Sequence, residues 1–376
     1  MSSPSIPAPS LAKIPATVIT GFLGAGKTTL IRHMLENAGG RKIALIINEF
    51  GDLGIDRQIV NGCGIQGCNE DDVVELANGC ICCTVADDFL PVMEALVERE
   101  DAPDHIVIET SGLALPKPLI RAFNWPEIKT RVTVDGVVSV VDGPALADGQ
   151  FASNMDAVQA QRAADDSLNH ENPLEDLFHD QLHAADMVLL NKADILGEDV
   201  TQRLIRDLTA QLRPGVHVVA TSHGNVGVDV LLGLDAGAED DLDARPSHHE
   251  HHHDDDDHDD HDDHDDHDHH HDHDHDAFES FIVEVGPQAD PAALEARLID
   301  IVAAHNVLRI KGFVEVAGKP MRHVVQGVGT RFTRYFDRAW ADDEDRQGRL
   351  VVIGQAGLNQ AAIRDALSSK ARETAA

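Results

Sequence analysis

The chain has 376 residues, 42% of them hydrophobic, and a formal net charge of −36. That length suggests two domains, each with enough apolar content to bury a core, which excludes a wholly disordered chain. So acidic a chain is repelled by nucleic acid and by anionic membrane surfaces, and neither is expected as a partner.

In chain order, residues 1–15 are polar and rich in Pro and Ser, with no apolar signal-peptide core, and read as a flexible N-terminus. No run approaches the roughly 18 apolar residues of a membrane span, so a cytoplasmic location is expected. From Ala16 a pattern recurs: a short β-branched run, a loop, then an amphipathic stretch. The runs are 16–20, 43–47, 105–108, 137–141, 187–190 and 216–220. Each is apolar throughout rather than alternating, as expected of strands covered on both faces. Helical spacing at 27–38, 88–100 and 200–211 completes the reading of 16–245 as a doubly wound, mostly parallel α/β domain.

Residues 246–277 break the pattern. His248–Asp276 contains 14 His, 14 Asp and one Glu, holds −15 of the net charge, and leaves −21 for the rest of the chain. Such a segment buries nothing and reads as a solvated linker. Residues 278–376 then read as a smaller α+β domain. Strands are expected at 278–285, 307–316, 321–326 and 350–353, and helices at 292–304 and from Leu358. Asp290-Pro291 has the form of an N-cap and first helical position, and the order of elements suggests a split β-α-β arrangement.

Three motifs sit where the expected strands end. Gly21-Phe-Leu-Gly24-Ala25-Gly26-Lys27-Thr28-Thr29 follows the first strand and opens the first helix, the context of a phosphate-binding loop. Its backbone N–H groups would cradle phosphates at a helix N-terminus, Lys27 would reach the β- and γ-phosphates, and Thr28 would ligate Mg²⁺. Glu109-Thr110-Ser111-Gly112 follows the third strand, which puts an acidic Mg²⁺ ligand at Glu109 and an N–H for the γ-phosphate at Gly112. Asn191-Lys192-Ala193-Asp194 follows a later strand, and Thr221-Ser222-His223-Gly224 the next. A carboxylate at Asp194 can accept from N1–H and the 2-amino group of guanine, a donor pair that adenine lacks, so GTP is the expected nucleotide. Lys27 and Glu109 are the catalytic candidates. Asn48–Asp52 occupies the position of a switch loop that would sense the γ-phosphate, its alternative being a solvated loop.

All five cysteines, Cys63, Cys68, Cys80, Cys82 and Cys83, fall within 21 positions. Their odd number and tight bunching argue against a disulfide framework. Cys80, Cys82 and Cys83 could close two or three bonds to one soft or borderline ion and leave a position open, as suits a site that hands its metal on. Cys63 and Cys68 read better as packed free thiols. In the linker, His248, His249, His251, His252, His253, His258, His261, His264, His267, His269, His270, His271, His273 and His275 alternate with carboxylates, and offer many weak, redundant sites for Zn²⁺, Ni²⁺ or Co²⁺.

Together, residues 21–30, 48–52, 79–83, 109–112 and 191–194, with the His-rich linker and the domain after it, resemble the CobW family of metal-handling P-loop GTPases over nearly the whole chain. The stretches 63–68, 70–88, 116–126 and 309–327 resemble its cobalamin-biosynthesis branch. The resemblance implies a GTP-dependent metallochaperone with Mg²⁺ at its nucleotide. Co²⁺ would be held at the C-x-C-C thiols and delivered to a cobaltochelatase, with a nucleotide- or metal-dependent dimer as an option. Alternatives are a zinc or nickel chaperone serving another metal-dependent client, or a metal store whose nucleotide site is regulatory. Some relatives carry a carboxylate just before the Asn-Glu-Phe triplet; here that position is Ile47, so a metal ligand there is not expected.

Overall fold

The computed structural model describes residues 13–47, 73–75, 89–99, 101–164, 173–234, 236–245, 278–341, 344 and 346–368. In chain order the principal elements are β1 (Ile14–Thr20), α1 (Lys27–Glu36), β2 (Ile43–Ile47), β3 (Val73–Glu75), α2 (Leu90–Val97), β4 (His105–Glu109), α3 (Pro116–Ala122) and β5 (Val132–Asp142). There follow α4 (Met155–Ala164), α5 (Leu174–Ala184), β6 (Met187–Asn191), α6 (Glu198–Gln211) and β7 (His217–Ala220). The last group is β8 (Phe278–Val285), α7 (Pro291–His305), β9 (Val307–Glu315), β10 (Met321–Val328), β11 (Arg331–Ala339), β12 (Gly348–Gln355) and α8 (Gln360–Ser368).

β1 to β7 form one parallel sheet in the order β3-β2-β4-β1-β5-β6-β7. The continuously apolar runs are explained by cover on both faces. In β2, Ile43, Leu45 and Ile47 join Leu30, Ile31 and Met34 of α1, whereas Ala44 and Ile46 join Met93 and Leu96 of α2 and Leu119 of α3. Toward the other edge, Val188, Leu190 and Val218 pack against Leu177 and Leu182 of α5 and Leu204 and Leu208 of α6. Because the strands are parallel, every C-terminal end lies on one side of the sheet, which gathers the loops after β1, β4 and β6.

β8 to β12 form a second, antiparallel sheet in the order β11-β10-β9-β12-β8. β12 lies between β8 and β9 and runs opposite to both, so β8, α7 and β9 make the expected split β-α-β unit. The Asp290 carboxylate accepts from the Ala292 N–H at 2.9 Å and Pro291 is the first helical residue, as the sequence suggests. Among the features that differ from the sequence reading, β3 has no counterpart among the expected strands. β5 begins at Val132, five residues ahead of the expected run. β11 has no counterpart among the expected strands, because residues 333–339 are exposed and polar-rich on the sheet's edge, where burial imprints no pattern. Among the described residues no helix is long and apolar enough to cross a membrane.

Candidate nucleotide site

β1 delivers Gly21, and the chain turns through 21–26 before α1 starts at Lys27. Gly26 has φ +105°, and a Cβ there would stand 2.2 Å from Asn191 Nδ2, so both backbone handedness and space require glycine. Lys27 is nearly buried, and its ammonium donates to the Gly21 carbonyl at 2.9 Å and to the Phe22 carbonyl at 3.4 Å. The charge is thus folded back over the loop. Thr28 is half-buried, and its hydroxyl donates to Glu109 Oε1 at 3.3 Å. Glu109 ends β4 in register with Ile19 of β1 and Ile47 of β2, and is buried. A hydroxyl beside a carboxylate at a phosphate loop is a hard-oxygen donor pair of the kind Mg²⁺ selects. Thr29, one residue on, is exposed, while Gly24 lies at the exposed tip of the loop with φ +79°.

Gly112 packs against this loop. A Cβ on it would lie 2.8 Å from the Leu23 nitrogen, so the segment after Glu109 and the phosphate loop meet backbone to backbone. Two glutamines support the segment from outside the motif. Gln181 of α5 donates to the Gly112 carbonyl at 3.0 Å and the Ala114 carbonyl at 3.2 Å, and Gln161 of α4 donates to the Ser111 hydroxyl at 3.3 Å.

Asn191 ends β6 and is buried. Its amide donates to the Ala25 carbonyl at 2.9 Å, and its side-chain oxygen accepts from the Gly224 N–H at 3.2 Å. One side chain therefore braces the phosphate loop against both loops at the other end of the site. The Ala193 N–H donates to the Thr221 carbonyl at 3.0 Å, which ties the latter two loops together again. Lys192 has a left-handed backbone, φ 62°, and its ammonium lies 2.7 Å from the Asp142 carboxylate at the end of β5. Asp194 is 40% exposed, as a group meant for a ligand must be, with His223 Nε2 at 3.7 Å.

The candidates on the phosphate loop, at 109–112 and at 191–194 are thus brought to one side of the sheet. Cys80, Cys82 and Cys83, Cys63 and Cys68, the 48–52 segment and the His/Asp tract lie outside the described residues. Among the described residues no group of three or more His, Cys, Asp or Glu is placed to hold a metal ion. Sequence reasoning missed Asp142, Gln161 and Gln181. Asp142 carried a faint signal, a carboxylate ending an otherwise apolar strand, whereas the glutamines sit on helices without any motif.

Residues 15–220 match the model of the CobW/HypB/UreG nucleotide-binding domain, and residues 278–371 that of the C-terminal domain of the cobalamin synthesis protein CobW. The chain is 53% identical over 357 residues to a protein of Sinorhizobium sp. named Zinc chaperone CobW, covering 95% of this chain and 97% of that one. It is 53% identical over 366 residues to the Zinc chaperone CobW of Pseudomonas aeruginosa, covering 96% and 92%. It is also 28% identical over 350 residues to Zinc chaperone YjiA of Escherichia coli, covering 91% and 94%.

Proposed function

The chain belongs to the CobW/HypB/UreG family and carries both the nucleotide-binding and the CobW C-terminal domain, and from that premise we propose that it is a GTP-hydrolysing metallochaperone whose cargo is Zn²⁺. The observation that carries the nucleotide half is the bracing of Ala25 and Gly224 by Asn191, beside the Thr28–Glu109 pair. Gly21, Gly24, Ala25, Gly26, Lys27, Thr28, Thr29 and Gly112 form the phosphate side of the proposed site, and Asn191, Lys192 and Asp194 the guanine side. On phosphate arrival Lys27 exchanges its two loop carbonyls for phosphate oxygens, and its charge offsets what develops on the β–γ bridge. Thr28 and Glu109 would hold Mg²⁺, which when bound supplies charge neutralisation across the same phosphates. The exposed Asp194 reads the guanine edge.

Cargo binding is assigned to Cys80, Cys82 and Cys83. What supports coupling to the nucleotide is chain length. Glu75, the last residue of β3, is in register with Ile47, and Ile47 with Glu109. Two strand spacings separate the backbones of Glu75 and Glu109, on the order of 10 Å. The five residues from Glu75 to Cys80 reach at most about 18 Å. Thiolates so tethered are within range of the Mg²⁺–GTP site, so γ-phosphate loss can change their affinity. Zn²⁺ as cargo is supported by the two relatives named zinc chaperones that are 53% identical over most of this chain, and by the selectivity of soft thiolate ligands for Zn²⁺. Co²⁺ delivery to a cobaltochelatase is the second reading, favoured by the cobalamin-synthesis C-terminal domain. The His/Asp tract serves as a low-affinity reservoir between residues 246 and 277. Location in the cytoplasm, a metalloenzyme client and the division at residues 245 and 277 belong to the same proposal, whereas the expected boundary at residue 15 falls inside β1, which already starts at Ile14.

The test is to measure Zn²⁺ and Co²⁺ affinities with Mg²⁺–GTP and with Mg²⁺–GDP, for the wild type and for Cys82→Ala with Cys83→Ala. A coupling of ordinary size gives roughly 5- to 150-fold tighter metal binding in the GTP form. The double variant should lose the tight site and keep GTP binding. Equal metal affinities in the two nucleotide states overturn the chaperone reading, and a higher affinity for Co²⁺ than for Zn²⁺ shifts the cargo.

A further inference from the structure

Asp142 is part of none of the nucleotide motifs, yet its environment is built like that of a functional group. It ends β5 directly across from Asn191 of β6, and its side chain is fully buried. Burial alone would raise its pKa, but hydrogen bonds from Lys192, Ser153 and the Ala145 N–H hold it below the usual carboxylate value, so it is charged. The donors stand at 2.7 Å for Lys192 Nζ, 2.6 Å for the Ser153 hydroxyl and 3.3 Å for Ala145 N, all from different elements. A buried ionised carboxylate is costly unless it is paired in this way.

Its partner is unusual as well. Lys192 adopts φ 62° and ψ 32°, a left-handed backbone that a residue with a Cβ holds only when its surroundings enforce it. The residue stands two positions before Asp194, and its side chain is 32% exposed while its ammonium is anchored on Asp142. A base gripped at its edge by Asp194 alone can swing about that contact. A four-carbon stem pinned at both ends, by its backbone and by Asp142, offers a fixed apolar wall against the face of a purine ring.

We propose that Asp142 is a positioning residue of the nucleotide site, acting through Lys192: it anchors the ammonium so that the lysine stem stands ready as one wall of the guanine pocket. The inference rests on the nucleotide reading above. It also predicts a division of labour, in which the Asp142–Lys192 pair supplies affinity for any purine and Asp194 supplies the choice of guanine.

The experiment is a double-mutant cycle on the full chain with Asp142→Asn, Lys192→Met and their combination, titrated with Mg²⁺–GDP and Mg²⁺–IDP, the latter lacking the 2-amino group. Each single variant should weaken GDP binding about 10-fold, and the combination should be no weaker than the poorer single variant by more than about twofold, since both remove one interaction. The GDP-to-IDP preference should stay at the wild-type value in all three and collapse in Asp194→Ala. Wild-type GDP affinity in either single variant overturns the inference, as do losses that multiply in the combination or a changed GDP-to-IDP ratio. If Asp142→Asn does not fold, Lys192→Met decides alone, because wild-type affinity there leaves the anchor without a function. Failure of the wild type to bind GDP refutes the nucleotide reading itself, whereas wild-type binding with unaltered variants refutes only the role of Asp142.

Discussion

Replacing Asn191 by Ala tests the construction of the site most directly. The change removes a donor 2.9 Å from the Ala25 carbonyl and an acceptor 3.2 Å from the Gly224 N–H, both in buried surroundings. A buried polar group left unpaired costs about 1–3 kcal/mol, so two of them predict a loss of about 2–6 kcal/mol, a large share of a domain's whole margin of stability. Part of that cost is recovered if water enters the space left by the amide, so the lower half of the range is expected. Asn191→Asp should behave differently, because it keeps an acceptor for Gly224 but sets a carboxylate against the Ala25 carbonyl. It should be the worse of the two above neutral pH. The assay is urea unfolding at pH 7.5, with and without GDP. A ligand at about 100 times its Kd adds about 2.7 kcal/mol to the wild type. The Ala variant, with its phosphate loop no longer braced, should gain less at the same GDP concentration. A loss below about 0.5 kcal/mol, with the full GDP increment retained, would refute the assignment of Asn191 as the brace.

Three further outcomes follow from the geometry. Gly112→Ala places a methyl group 2.8 Å from the Leu23 nitrogen, and should abolish GTP binding measured by fluorescent-nucleotide titration while leaving far-UV circular dichroism unchanged. His105 is held neutral by burial and by the positive charges of Arg41 and Arg309, which lower its pKa from 6.5 to about 3; Asp135 at 3.9 Å is therefore not an ion-pair partner at neutral pH. Because the unfolded chain takes up this proton and the fold resists it, stability is constant above about pH 6.5 and falls as pH drops toward 3, by up to about 4 kcal/mol from this group. Urea midpoints from pH 7.5 to 5 should show about half of that fall, roughly 2 kcal/mol, in the wild type and a shallower one in His105→Gln. Deleting residues 248–276 should lower the number of Zn²⁺ ions bound per chain in equilibrium dialysis without changing the tightest affinity; loss of the tight site would favour a storage protein instead.

What the sequence disclosed and what it withheld divide along physical lines. The parallel sheet was legible because double-sided burial forces unbroken apolar runs such as Ile43–Ile47, and the phosphate loop because its glycines, lysine and threonine are adjacent in the chain. Asp290 and Pro291 were legible because a helix start depends on local backbone groups alone. Asn191 was read as part of a guanine motif, but its contacts reach 166 positions back to Ala25 and 33 forward to Gly224. No local pattern encodes such a span. The same holds for Asp142, 50 positions from Lys192. β11 was illegible for the opposite reason: an exposed edge strand is held by its ladder to β10 and by ion pairs such as Arg334–Glu295, and neither needs an apolar repeat.

The two sheets are not independent, and this bears on how a nucleotide state could reach a client. Leu308, Val328 and Ile353 of the second sheet lie in the same apolar core as Ile19, Leu45 and Leu189 of the first. Arg309 of β9 is buried, and donates to the carbonyls of Asp229, at 2.5 Å, and of Leu232. The Asp229 carboxylate in turn takes Arg41 at 2.6 Å, from the turn between α1 and β2, with Lys311 of β9 at 3.9 Å. Asp135 of β5 accepts from the Gly233 N–H at 2.5 Å, so residues 228–234 are fastened to both sheets. A movement of α1, whose first residue is Lys27, is therefore opposed or transmitted at Arg41 and Asp229. Arg309→Met keeps the apolar stem and removes the two carbonyl contacts. If the second sheet is to follow the nucleotide, this variant should retain GTP affinity while the GTP-to-GDP difference in its hydrogen exchange at β9 and β10 disappears. An unchanged difference would mean that the shared core alone carries the coupling.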